Sequence, residues 1–409
     1  MKKKITGIIL ALCVAISTLS FAAGCGEKEH TDRLVIALRS GTYAEVIKGC
    51  LPDFESTYGI DCEVVELSED DLHSYVLSDS VNRNGSYDLC MVDGSWVSEY
   101  IFENVLADLG ELGYSFDDDI IPATTSICVQ NDKTYLVPYY GNVTVMMYNK
   151  EVAKSLGFDE SSFETLEDVK DFCVKSEASG HGGFVYRGDT ENNIVVDFLP
   201  ILCAFGGWVV DENNNPTVNT PEFKKALEFY MEISATGGAL SKEDLISAVE
   251  EGEMVTAVGW PGWYNSSDSK GADYIAFPGK ASGDSESYNS NIYGIWTLGI
   301  PSNSTNKEMA CKLLTYLMDR DVQKETVSVG GVPCRYSSLN DPEIVEADPH
   351  MAVICEALEN GIYRPVMQEW PRFYTILGNQ MKSIMSGETG ISDGLTLAQD
   401  ELVALMNKK

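Results

Sequence analysis

"RLVIALRSGTYAEVIKGCLPDFESTYGIDCEVVEL", residues 33–67, decides the fold class. "RLVIAL" is a short apolar run of strand length, "RSGTY" has turn chemistry, and "AEVIKGCLPDFESTYG" spaces its apolar residues as an amphipathic helix does. "IDCEVVEL" then alternates in strand fashion. Further on, "YDLCMVDGSW" (residues 87–96) predicts a buried strand that opens into a loop at Asp93, Gly94, Ser95 and Trp96. Strand, helix, strand, helix, strand is the order of a doubly wound α/β lobe, in which ligands sit beyond the C-terminal ends of the strands. "SGTYAE" and "VDGSW" both fall at such ends.

The remainder alternates in the same way. "LVPYYGNVTVMMYNKEVAKSLGF" is a turn, an extended segment and a helix. "NTPEFKKALEFYMEI" opens a helix with threonine as N-cap and proline in the first turn. "MVTAVGWPGWYN" is a strand that runs into a loop carrying Trp260 and Trp263, and "NIYGIWTLGI" is another strand. Residues 351–406 read as mostly helical, interrupted by "YRPVMQEWPRF". Nearly 380 residues beyond the N-terminal segment exceed one ordinary core and predict two lobes. No clean break separates them, so the chain is expected to cross between lobes more than once.

Lys2, Lys3 and Lys4 precede an apolar run from Ile5 to about Leu19 and the small-residue stretch "FAAGC". This predicts an export signal over 1–24, too short to remain as a membrane span. Cleavage before Cys25 resembles processing at the lipobox of bacterial lipoproteins, although Ala22 stands where leucine is usual. The resemblance implies a lipid on Cys25 and a polar tether over 25–32. The net charge of −34 becomes about −37 once the three signal lysines leave. Such a field opposes nucleic acid, phosphorylated ligands and anionic headgroups, and allows neutral or cationic partners. Nine of the eleven cysteines are scattered beyond Cys25, with no C-x-x-C pair or His/Cys cluster. Neither zinc, another metal, nor a disulfide framework is indicated.

"YDLCMVDGSWVSEYIFENVLADL", "LVPYYGNVTVMMYNKEVAKSLGF", "PTVNTPEFKKALEFYMEI", "YGIWTLGIPSNSTNKEMACKLLTYL", "GGVPCRYSSL" and "YRPVMQEWPRFYTILGNQM" occur in this order. Together they resemble the family 1 extracellular solute-binding proteins, the sugar-binding components of ABC importers. The likeness runs from about residue 33 to the C-terminus. It implies a periplasmic-binding-protein-like clamp of type II: two doubly wound α/β lobes around a ligand cleft, joined by several hinge crossovers. The lobes would comprise 33–140 with 294–337, and 141–293 with 338–409. It also implies no catalysis, no cofactor, a monomer, a carbohydrate ligand, and permease subunits as partners. The acidic surface would help to dock on basic patches of such a permease.

A pyranose presents an apolar C–H face and a rim of hydroxyls, so it needs flat aromatic platforms and donor or acceptor side chains. Most of the six tryptophans stand beside glycine or proline, or at strand ends. Trp96, Trp208, Trp260, Trp263 and Trp296 are the candidate platforms, and in the family the Trp260–Trp263 loop commonly supplies the stacking residue. Asp93, Ser95, Asn142 and Arg364 are the candidate rim. The resemblance adds Glu45, similar in position to hydroxyl-binding residues, and an aromatic at a helix start, Tyr374 or Phe373. Tyr139 and Tyr140 are adjacent, so one is expected to face the cleft and the other the interior.

Two other classes fit parts of the sequence. A surface glycosidase needs two carboxylates opposed across the cleft, and 63 acidic residues leave that open. No H-E-x-x-H, G-x-S-x-G or G-x-x-x-x-G-K-[ST] occurs, and the four histidines are dispersed. A binding protein for a polyamine or peptide would suit the overall charge, but calls for acids caging an ammonium.

Overall fold

The computed structural model describes residues 33–263 and 271–408. Cys25, the export signal and the tether lie outside the described residues, as do the last two residues of "VGWPGWYN". The chain builds two five-stranded sheets. In the first, the order is Asp61–Leu67, Arg33–Arg39, Leu89–Asp93, Trp296–Gly299, Leu136–Tyr140. Its first three strands are parallel, as the opening βαβ pattern requires, and Trp296–Gly299 runs antiparallel to both of its neighbours. All five residues of Leu89–Asp93 are buried, which explains why that strand reads as a continuous apolar run rather than an alternation.

The second sheet is ordered Ala272–Ala276, Val145–Asn149, Met254–Gly259, Gly182–Arg187, Gly238–Leu240. Helices Leu166–Ala178, Glu191–Ala204, Pro221–Ser234 and Lys242–Glu251 pack on it, and Trp370–Met385 packs on Glu191–Ala204. Thr220 accepts from the Phe223 amide at 3.3 Å, and Pro221 occupies the first turn, where its missing N–H costs no hydrogen bond. Each lobe has its own apolar core, one around Ile36, Leu51 and Leu314, the other around Phe172, Phe198 and Trp370. Each fully buried Leu, Ile or Phe there contributes about 1.5–3 kcal/mol. Leu339, Met351, Ile354 and Leu358 pack into the first core, on the far side of the expected division at 338. The nine cysteines from Cys50 onward are free thiols, seven of them buried, and they pack as small apolar side chains.

Three chain crossings form the hinge. Asn291–Tyr293 pairs in parallel with Gly361–Tyr363, and Val143 bridges Tyr293 from the other side. The Tyr293 hydroxyl donates to the Leu358 carbonyl. A Cβ on Gly361 would lie 2.0 Å from the Tyr293 ring, so the crossing accepts no side chain there.

Candidate functional site

The cleft between the sheets is lined less by the strands than by the loops and helix starts that succeed them. Arg39 ends the first strand, and Gly41, with φ of 90°, turns the chain into helix Thr42–Tyr58, which sets Tyr43 in its first turn. Ser68 caps helix Glu69–Asn82 and puts Glu69 at the mouth. In the second lobe Arg187 ends its strand, Thr190 caps helix Glu191–Ala204, and Asn192 and Asn193 come next. Ser241 caps Lys242–Glu251. Four helix N-termini thus point their partial positive charge toward one space. That space, 190 Å³, is lined from both lobes and the hinge, by Arg39, Tyr43, Glu69 and Asp93, by Asn142, Gly294, Trp296 and Arg364, and by Arg187, Asn192, Asn193, Val196, Lys242, Trp260 and Trp263. Larger recesses of 680 and 640 Å³ lie on the outer surfaces of the two lobes. Size therefore does not mark the site; convergence of strand ends does.

Asp93 Oδ1 accepts from the Ser95 amide at 2.9 Å, from Ser95 Oγ at 2.6 Å and from Arg364 Nη2 at 3.0 Å. Arg364 arrives from the hinge immediately after Tyr363, so this pair ties the first lobe to the third crossing. Arg39 Nε and Glu69 Oε2 are 4.0 Å apart, a looser pair. The Glu69 carboxyl is raised above its ordinary pKa by desolvation in the cleft and then by the charge of Asp93, against Arg364 and Arg39. Half of its side chain stays exposed, so solvent screens much of that effect. Across the cleft, Arg187 grips the fully buried Asp197 through Nε and Nη2, and gives Nη1 to Asn193 Oδ1 at 3.0 Å. Burial pushes the Asp197 carboxyl upward, against the pull of Arg187.

Trp296 packs on Tyr43 at 5.5 Å and edge-on to Trp96 at 5.6 Å. Burial pushes the Tyr43 phenol up to about 12, so it stays protonated at neutral pH. Trp260 lies against the backbone of Gly294, where an added Cβ would come within 2.7 Å of the indole. Only 8 % of Trp260 is exposed, so the loop buries far more of it than the Pro-Gly sequence suggests. Trp263 is half-buried, with the Arg187 guanidinium 5.1 Å and the Lys242 ammonium 5.9 Å from its ring centre.

Of the residues expected from sequence, Asp93, Asn142, Trp260, Trp263, Trp296 and Arg364 line this space. Ser95 stands behind Asp93 and orients it. Trp96 stands behind Trp296, between His73 and Tyr100. Trp208 packs on the second core and its carbonyl accepts from Thr217 Oγ1. Tyr139 is buried in the first core with its hydroxyl unpartnered, whereas Tyr140 borders a neighbouring recess. Tyr374 packs edge-on to Trp370 beside the second core, and Phe373 is fully buried. Glu45 is exposed and pairs with Lys48 at 2.7 Å on the outer face of its helix, outside the cleft lining. Arg39, Tyr43, Glu69, Arg187, Asn192, Asn193 and Lys242 were not anticipated. Nearly all stand at a strand end or in the first turn of the next helix, the rule that found Asp93. Among the described residues, no group of three His, Cys, Asp or Glu could hold a metal ion, and no helix is long and apolar enough to cross a membrane.

Comparison with known proteins agrees with this architecture. A probable amino-acid ABC transporter periplasmic-binding protein of Sinorhizobium fredii is 24 % identical over 85 % of this chain and 83 % of its own length. The mannitol-binding protein of Pseudomonas aeruginosa is 22 % identical over 100 % of this chain and 99 % of its own. Maltose-bound T. maritima MalE3 superimposes with a TM-score of 0.78 at 24 % identity, covering 91 % of this chain and 99 % of that one, and has the same two-lobe type II fold. Residues 51–353 match the family described as bacterial extracellular solute-binding protein, and the chain belongs to that family.

Proposed function

We propose that this chain is the capture component of an ABC importer, held at the outer face of the cell membrane by a lipid on Cys25. It takes a carbohydrate into the cleft, closes its lobes over it, and hands it to permease subunits. The observation that carries this reading is the convergence, from two lobes and a hinge, of indole rings with amide, carboxylate and guanidinium groups on one small space. Apolar ring surface meets the C–H face of a sugar, and the polar groups meet its rim. Because the lining comes from both lobes, a bound solute favours the closed state through contacts the open state lacks. The relatives named for mannitol and maltose support the ligand class. The moving bodies are the two sheets with their helices, residues 339–358 travelling with the first and 364–408 with the second.

Calorimetry and thermal shift with a panel of hexoses, polyols, sugar acids and short oligosaccharides test the ligand. At least one is expected to bind at micromolar strength, about 8 kcal/mol, and to raise the melting temperature. A panel without any binder rejects the reading, and release of hydrolysed product from an oligosaccharide rejects it in favour of an enzyme. The cationic-ligand alternative finds no support among the described lining residues, since Glu69 and Asp93 already face guanidinium groups.

A further inference from the structure

The cleft has the opposite charge to the molecule that contains it. The chain carries 63 acidic residues against 29 lysines and arginines. Among the described residues, the lining nevertheless brings together Arg39, Arg187, Lys242 and Arg364 with two carboxylates, Glu69 and Asp93. Asp70, next to Glu69, and Asp189, two residues past Arg187, lie outside the lining, and Asp189 accepts from Asn193 Nδ2 at 2.9 Å. Asp197, behind the lining, neutralises Arg187; Asp93 neutralises Arg364; Glu69 answers Arg39 at 4.0 Å. Among the described residues, four cations thus stand against three paired carboxylates, one positive charge in surplus. Among the described residues Lys242 has no ion-pair partner, and its ammonium is held beside Trp263.

The hydrogen-bond inventory leans the same way. Nε of Arg39 and Nε of Arg364 are buried donors without an acceptor. Guanidinium and ammonium groups only donate. A neutral sugar hydroxyl could accept from them, but it brings no charge. Closing two lobes on a surplus cation removes it from water at a cost that only a counter-charge offsets. The four helix N-termini around the space add to the positive potential. The space is also small: 190 Å³ is below the roughly 300–1,000 Å³ of a drug-sized pocket, so it suits one sugar unit rather than a chain.

Resting on the carbohydrate reading above, we infer that the solute is a sugar acid: one polyhydroxylated unit bearing a single carboxylate, which supplies the negative charge the lining lacks. A phosphate, at about −1.5 to −2, would overshoot that surplus.

The test measures binding of D-glucuronate, D-galacturonate, their methyl esters, D-glucose, D-galactose, glucose 6-phosphate and L-glutamate by calorimetry. At least one hexuronate is expected to bind about tenfold or more tightly than its ester and its neutral hexose, and to weaken as salt rises. Lys242→Gln, an exposed first-turn change, is expected to bring acid and ester to near-equal affinity while leaving the melting temperature of the free protein unchanged. A hexose bound as tightly as its hexuronate overturns the inference and leaves the carbohydrate reading standing. Preference for glucose 6-phosphate overturns the carboxylate. Glutamate binding without any sugar acid overturns both readings. Failure of every hexuronate to bind overturns the inference whatever the neutral sugars do.

Discussion

Two arginine–carboxylate pairs face each other across the cleft, and they are built differently. Arg187 and Asp197 are almost sealed, with side-chain exposures of 8 % and 0 %, and three of the arginine nitrogens are engaged by Asp197 and Asn193. Arg364 and Asp93 also meet closely, but Arg364 uses one nitrogen, its Nε has no acceptor, and Asp93 is held independently by Ser95. The first pair is closed on itself and fixes a strand end to a helix. The second has capacity to spare. A cleft of this kind therefore separates the charges that hold its walls from the charges that wait for a solute.

The largest effect should come from breaking the closed pair. Asp197→Asn leaves a buried guanidinium without its counter-ion and is expected to cost about 3–5 kcal/mol of stability in chemical denaturation. A loss under about 1 kcal/mol with abolished binding would reverse the roles assigned to the two pairs. Next, Arg364→Gln should weaken solute binding by roughly 10–100-fold, the 1.5–3 kcal/mol of a charged hydrogen bond. Asp93 keeps its two bonds from Ser95, so the melting temperature of the free protein should change little. Destabilisation comparable to that of Asp197→Asn would erase the distinction.

The smallest effect concerns a third charged contact, which joins the lobes near the hinge. His350, on helix His350–Glu359, meets Asp273 at 2.5 Å and Asp348 at 3.2 Å, and its ring stacks on Tyr274 at 4.2 Å. Burial alone would lower its pKa, but the hydrogen bonds to Asp273 and Asp348 raise it to about 9. A raised folded-state value gives stability that is complete below the unfolded value of about 6.5 and fades as the pH climbs through about 9. The melting temperature of the native chain should thus exceed that of His350→Gln at pH 6, and the gap should close by pH 10. A gap constant across that range would show the imidazolium contact to be immaterial.

Local pattern carried the lobe architecture, because strand, cap and helix signals lie within a few residues of one another. The same reasoning reached Asp93, and applied to "GGFVYRGDT" and "VVELSEDD" it would have reached Arg187 and Glu69. The tryptophans were harder. Trp96, Trp208 and Trp296 all stand near turns or strand ends, and only tertiary packing makes Trp296 a lining residue while seating Trp96 behind it and Trp208 on a core. Glu45 shares the helix that presents Tyr43, yet two residues, about 200° of helical rotation, carry it to the outer face. Net charge says least about the cleft, because it is a sum over the whole surface: four of the 29 lysines and arginines line the described part of the cleft, beside two carboxylates.

Trp260 rests on Gly294, where the chain returns from the second lobe to the first, while its own strand belongs to the second sheet. An indole that straddles a pivot changes surroundings whenever the pivot turns. Parting of the lobes would wet a ring that is now nearly dry, shifting its emission to longer wavelength. The molecule thus contains its own optical gauge of closure, and no label need be attached to follow a solute being caught.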